Sequence, residues 1–122
     1  IDSLNCKVAL IVTAHERGLP VAASMGAGNK LDVTRVRVSD ISQTEMDTLA
    51  RIVRKRLRKR GVHKGVLCVW TDEPGAPPLP PEEVSHGRAR AVNGTISYMP
   101  PLFGVMLAGA VVKRLLGEVQ GT

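Results

Sequence analysis

The sequence predicts an α/β fold, a mixed sheet with flanking helices in one domain, and three observations predict it. Apolar residues recur at helical spacing in two separate stretches, Leu4 to His15 and Glu45 to Arg60. Leu19 to Ser24 and Val66 to Trp70 are short runs that are apolar almost throughout, as strands covered on both faces are. Thr34 to Ser39 alternates at period two, the mark of a strand with one wet face. A chain of 122 residues has room for one domain with a modest core.

Each element has local support. Leu4, Val8, Ile11, Val12 and His15 form one stripe of the first helix; Asp2 or Ser3 can cap its start and Gly18 can end it. The strand Leu19 to Ser24 runs into Gly26-Ala27-Gly28-Asn29, a tight turn or loop. The alternating strand follows, and Asp40 to Thr44 is a polar connection. Met46, Leu49, Ile52, Val53 and Leu57 mark the buried stripe of the second helix, which Gly61 is placed to terminate. After the strand Val66 to Trp70, Glu73 to Glu83 holds five prolines and reads as loop, as does the polar stretch to Asn93. The last helix is expected from about Leu102 to Leu116. Pro101 sits in its first turn, and Lys113 and Arg114 lie at its negative end.

Composition narrows the function. Apolar residues make up 43 % of the chain, yet Trp70, Tyr98 and Phe103 are its only aromatics, so the core is aliphatic. The net charge of +6 favours a polyanionic partner such as nucleic acid, although a soluble protein can be basic without one. Cys6 and Cys68 form no C-x-x-C pair, which removes the usual zinc patterns. A disulfide between them remains open, but two reduced, buried thiols in a cytoplasmic protein are the expectation. The run Leu102 to Val112 is too short to cross a bilayer, which takes about 20 residues. There is no basic n-region and no initiator Met, so a processed chain or a piece of a longer one is expected. A helix feeding a buried strand usually has a strand before it, which again suggests part of a larger sheet.

Four collinear stretches resemble the ThiF-type adenylating enzymes, and within them the tRNA threonylcarbamoyladenosine dehydratases. They are Ile1-Asp2-Ser3 to Ile11, Gly18 to Val36 with its Gly26-Ala27-Gly28 and Asp32-Val33-Thr34, Asp40 to Glu73, and Gly94 to Gly104. The resemblance covers nearly the whole chain. It implies the carboxyl-terminal portion of a Rossmann-like adenylating domain over 1–122, lacking the amino-terminal nucleotide-binding half, with 74–93 a flexible Pro-rich loop inside it. It implies ATP and Mg2+ as cofactors and tRNA as partner. In this family the carboxylate of N6-threonylcarbamoyladenosine is activated as an acyl-adenylate, and loss of AMP closes a ring. It also implies a homodimer, no membrane, and a fragment inactive alone.

Several residues carry two readings. Asp2 matches the second Asp of the family's Asp-x-x-Asp pattern, which helps hold magnesium and nucleotide; without the resemblance it is a plain helix cap. Lys7, one turn on, is placed to face a phosphate or to be solvated. Gly26, Gly28 and Asn29 let backbone amides approach a ligand, and the resemblance makes them the lining of the acceptor side. This lone G-x-G enters a strand instead of opening a helix, so it is not the phosphate fingerprint. Arg51, Arg54, Lys55 and Arg58 belong to a run of seven cations within ten residues. They offer an RNA backbone its counter-charge, or form a solvated face. Cys68, in an apolar strand, is expected to be inert. His15, His63 and His86 lack ligand spacing. No catalytic residue is assigned. Two alternatives stand beside the enzyme: a non-catalytic nucleic-acid-binding domain, and an activator of a small sulfur-carrier protein.

Overall fold

A computed structural model describes residues 3–74 and 96–117. The elements run α1 (Leu4–Glu16), β1 (Val21–Ser24), a 3-10 turn (Val33–Arg35), β2 (Val36–Asp40), a second 3-10 turn (Ile41–Gln43), α2 (Thr48–Lys59), β3 (Val66–Thr71) and α3 (Met99–Leu115). β3 is central in the sheet order β1-β3-β2. It pairs parallel with β1, from Val21↔Val66 to Ser24↔Val69. It pairs antiparallel with β2, from Val36↔Thr71 to Asp40↔Leu67. The mixed sheet and its flanking helices are as the sequence predicts.

Alternation along β3 divides the core. Val66, Cys68 and Trp70 join Val8, Ile11 and Val12 of α1 and Ala50, Val53 and Leu57 of α2 in one buried cluster. Val69 points the other way and packs with Met99 and Phe103 of α3. The sheet therefore has α1 and α2 on one face and α3 on the other. The Trp70 indole N–H, otherwise a buried orphan, donates to the Ser39 Oγ of β2 at 2.8 Å.

Several boundaries differ from the sequence pattern. β1 is half-buried and begins at Val21, because it lies at the edge of the described sheet. The alternating run begins with a 3-10 turn, since the Asp32 carboxylate accepts from the Thr34 N–H at 2.9 Å and from its hydroxyl. α2 starts at Thr48, three residues late. Met46 is left-handed, with φ of 63°, and 63 % exposed, so it leaves the expected buried stripe. That conformation costs a non-glycine residue about 1 kcal/mol. α3 starts early, at Met99, because the missing N–H groups of Pro100 and Pro101 go unused in a first turn. Cys6 is exposed, not buried as expected; both cysteines are free.

Asp40 ties the far end of the sheet together. One of its oxygens accepts from the N–H groups of Gly65 and Val66 at 2.8 and 3.1 Å. The other accepts from the Ser42 N–H and hydroxyl at 3.0 and 2.6 Å. Partial burial pushes its carboxyl up, but these hydrogen bonds outweigh burial and hold it below the ordinary carboxylate value. Among the described residues no helix is long and apolar enough to cross a membrane.

Candidate functional site

The carboxyl ends of β1 and β3 point the same way, and the chain leaving β1 forms the loop 25–32 there. The amino-terminal ends of α1 and α2 contact this exit, and that of α3 contacts the far end of the loop. From the first turn of α1, Lys7 Nζ donates to the Ser24 carbonyl at 2.5 Å. At the start of α2, Asp47 accepts from the Gly26 N–H at 3.2 Å. At the start of α3, the Tyr98 hydroxyl donates to the Leu31 carbonyl at 2.6 Å. Helix amino ends carry partial positive charge, and open α/β sheets bind ligands beyond the carboxyl ends of their strands. Lys7 brings a cation to this end of the molecule, and Asp47 brings a carboxylate.

The loop is anchored at its far side by Glu73, just beyond β3. The Glu73 carboxylate accepts from the Leu31 and Asp32 N–H groups at 2.8–3.0 Å. The buried Lys30 ammonium donates to the Glu73 carbonyl at 2.6 Å. Beside it, Asp72 receives Arg35 at 2.8 Å and Arg37 at 2.9 Å. The Arg35 and Arg37 hydrogen bonds hold the Asp72 carboxyl below its usual value. Burial lowers the pKa of Lys7, while Cys68 and Asp47 push it back up. Cys68 itself is pushed up to about 12, chiefly by burial, so it is no nucleophile at neutral pH. A groove of about 380 Å³ runs beside β1, lined by Lys7, Leu10, Ile11, Ala14, β1 itself and Leu107.

The sequence-predicted residues separate into three groups. Lys7 and Gly26 both lie at the β1 exit: Lys7 donates to the Ser24 carbonyl, two residues before Gly26, whose own N–H donates to Asp47. Gly28 and Asn29 form the turn of the same loop, Gly28 exposed and Asn29 left-handed with φ of 60°. Arg51, Lys55 and Arg58 are exposed at i, i+4 and i+7, one face of α2. Arg54 departs from that group: half-buried, its guanidinium donates to the carbonyl and hydroxyl of Thr44. Asp2 lies outside the described residues, as do 75–93 of the Pro-rich segment and His86. Among the described residues no group of His, Cys, Asp or Glu could hold a metal. Sequence reasoning missed Asp47, Glu73 and Tyr98. Of these only Asp47 carries a local signal, an acidic residue directly before a helix.

No protein-family model matches the chain. It is 34 % identical over 131 residues to tRNA threonylcarbamoyladenosine dehydratase 2 of Saccharomyces cerevisiae, covering 94 % of this chain and 29 % of that protein. It is 33 % identical over 128 residues to the tRNA threonylcarbamoyladenosine dehydratase of Bacillus subtilis, covering 98 % of this chain and 50 % of that one. Among solved structures, it superposes on the Escherichia coli tRNA N6-threonylcarbamoyladenosine dehydratase in complex with ATP with a TM-score of 0.78 at 29 % identity, over 99 % of this chain and 48 % of that one. The same enzyme in complex with AMP gives 0.79 at 27 %. The chain thus spans half the length, or less, of the relatives it matches. The fold is that of a portion of a ThiF-type, Rossmann-like domain. In sequence and structure the chain is similar to a carboxyl-terminal portion of the tRNA threonylcarbamoyladenosine dehydratases, half of the Bacillus subtilis protein and less than a third of the yeast one.

Proposed function

We infer that this chain supplies the acceptor-side half of an ATP-dependent tRNA threonylcarbamoyladenosine dehydratase. The observation that carries the reading is the meeting of three helix amino ends and the loop 25–32 at the carboxyl end of the parallel strands. The reaction joins two anions, a nucleotide triphosphate and the carboxylate of the modified adenosine. ATP supplies the adenylyl group that turns a carboxylate oxygen into a leaving group. In this reading Lys7 offsets negative charge at the β1 exit, while Gly26, Gly28 and Asn29 present backbone to the modified base. Asp2 contributes to Mg2+ as one donor of several, the remainder coming from ATP and from the amino-terminal half.

Arg51, Lys55 and Arg58 are assigned to the tRNA backbone, as phosphate contacts without base readout. Arg54 holds Thr44 and lends that stripe its rigidity. A second copy is assigned to the outer face of α3, where Val105, Val112 and Leu115 are 70, 52 and 81 % exposed. A cytoplasmic location follows from the tRNA substrate in this reading.

The test is a chimera in which the 122 residues replace the carboxyl-terminal half of the Bacillus subtilis relative. We expect it to release AMP from ATP only with tRNA bearing threonylcarbamoyladenosine, and the 122-residue chain alone to release none. AMP release by the chain alone, or release by the chimera indifferent to that modification, overturns the reading.

A further inference from the structure

Three features around Asp47 have no explanation in helix formation. It stands at the amino-terminal boundary of α2 but makes no side-chain capping bond to its own helix. It is a carboxylate only 5 % exposed, in a position where such residues are usually wet. The residue before it, Met46, is forced into the left-handed region while its side chain stays in solvent. The main chain therefore bends at a non-glycine residue, and the result is that Asp47 faces inward and away from the helix it should cap.

What Asp47 reaches is the Gly26 N–H, at 3.2 Å. One residue earlier, the Met25 N–H still donates to Val69 and continues the β1–β3 ladder, at 2.8 Å. Gly26 is thus where the chain leaves the sheet, and Asp47 takes the first N–H that the ladder no longer satisfies. Lys7 holds the Ser24 carbonyl just upstream. A cation and a carboxylate from two different helices therefore grip the strand exit from opposite polarity. The fit is close: a Cβ at position 26 would stand 3.1 Å from the Asp47 carboxylate. The pressure for glycine here comes from this neighbour, which a side chain would push by a few tenths of an ångström, and not from the backbone, since Gly26 is not among the residues with a positive φ.

We propose that Asp47 is a positioning residue for the reaction, acting through Gly26 to set the direction in which the loop 26–29 leaves β1. This rests on the reading of that loop as the acceptor side. In this proposal Asp47 acts on the loop through the Gly26 N–H and not on a substrate directly, so its loss is felt on the substrate that the loop faces and not on the other.

In the chimera, Asp47→Ala is expected to raise KM for the modified tRNA, or lower kcat, by tenfold or more, with KM for ATP within twofold of the parent. Asp47→Asn, which keeps an oxygen for the Gly26 N–H, is expected to recover most of that loss. Gly26→Ala is expected to be harmful alone but to add little on top of Asp47→Ala, because the contact it violates is gone. Equal losses in the Ala and Asn variants, equal effects on ATP and tRNA, or strictly additive losses overturn the proposal. A chimera inactive before any substitution defeats the functional reading instead. The Gly26 amide in the 122-residue chain then decides the point: its hydrogen exchange should accelerate tenfold or more in Asp47→Ala and much less in Asp47→Asn. An unchanged rate in the Ala variant overturns the proposal.

Discussion

Asp40 shows how much of this fold rests on carboxylates that serve backbone N–H groups. Its four hydrogen bonds hold the entry of β3 against the end of β2. Asp40→Ala leaves two main-chain donors at the β3 entry without that partner, at a cost of about 2–3 kcal/mol by chemical denaturation at pH 7. The sign with pH follows from the direction of the shift. A carboxyl held below its ordinary value stabilises the fold above about pH 4, and the contribution is lost as pH falls through the folded value. The gap between parent and Asp40→Ala should therefore narrow below pH 4; a gap that stays constant to pH 2 contradicts this. At this scale the sequence was only partly legible. Cys68 read as inert because its neighbours are apolar, and burial indeed raises its thiol. Glu73 was silent and Asp47 showed only as an acidic residue before a helix, since a carboxylate that reaches a distant main-chain N–H leaves no periodic trace.

At the scale of elements, pattern was a good guide to existence and a poor one to boundaries. The stripe Val53 and Leu57 placed α2 correctly, whereas Met46 fitted the same spacing and lies outside the helix. Periodicity records apolar character, but a left-handed residue and an inward Asp47 decided where the helix could begin. Likewise Thr34 and Arg35 fitted the alternation, and a side-chain bond from Asp32 won them for a turn. The cations of α2 were legible as a run; that Arg54 turns inward was not, because its partner Thr44 lies ten residues away. The exposed stripe gives a direct test. Changing Arg51, Lys55 and Arg58 to Glu together should weaken tRNA binding by the chimera. It should also reduce the slope of log affinity against log salt by roughly two to three, one phosphate per cation. Thermal stability should move little, since all three are exposed. An unchanged salt slope removes α2 from the RNA surface.

The whole molecule is asymmetric in what it hides. The sheet is covered by α1 and α2 on one face, with buried residues throughout the contact, while α3 on the other face buries Met99 and Phe103 and turns much of its length outward. Helical periodicity could not reveal this, because α3 is apolar nearly all round and reads equally as a core helix. An outer face carrying Val105, Val112 and Leu115 should drive self-association. Val105→Lys with Leu115→Lys is expected to shift the chain toward monomer in sedimentation equilibrium without loss of helical signal by circular dichroism. If the parent chain sediments as a monomer at high micromolar concentration, this face is not where copies meet.

The anchors of the loop 25–32 have one more consequence. Asp47, Glu73 and Tyr98 all grip it by its main chain, at the Gly26 N–H, the Leu31 N–H and carbonyl, and the Asp32 N–H. Its shape is thus written by residues elsewhere in the chain, and an exposed side chain such as Leu31 can be exchanged over evolutionary time without dismantling the frame. A lineage could retune what this surface displays and inherit the scaffold intact.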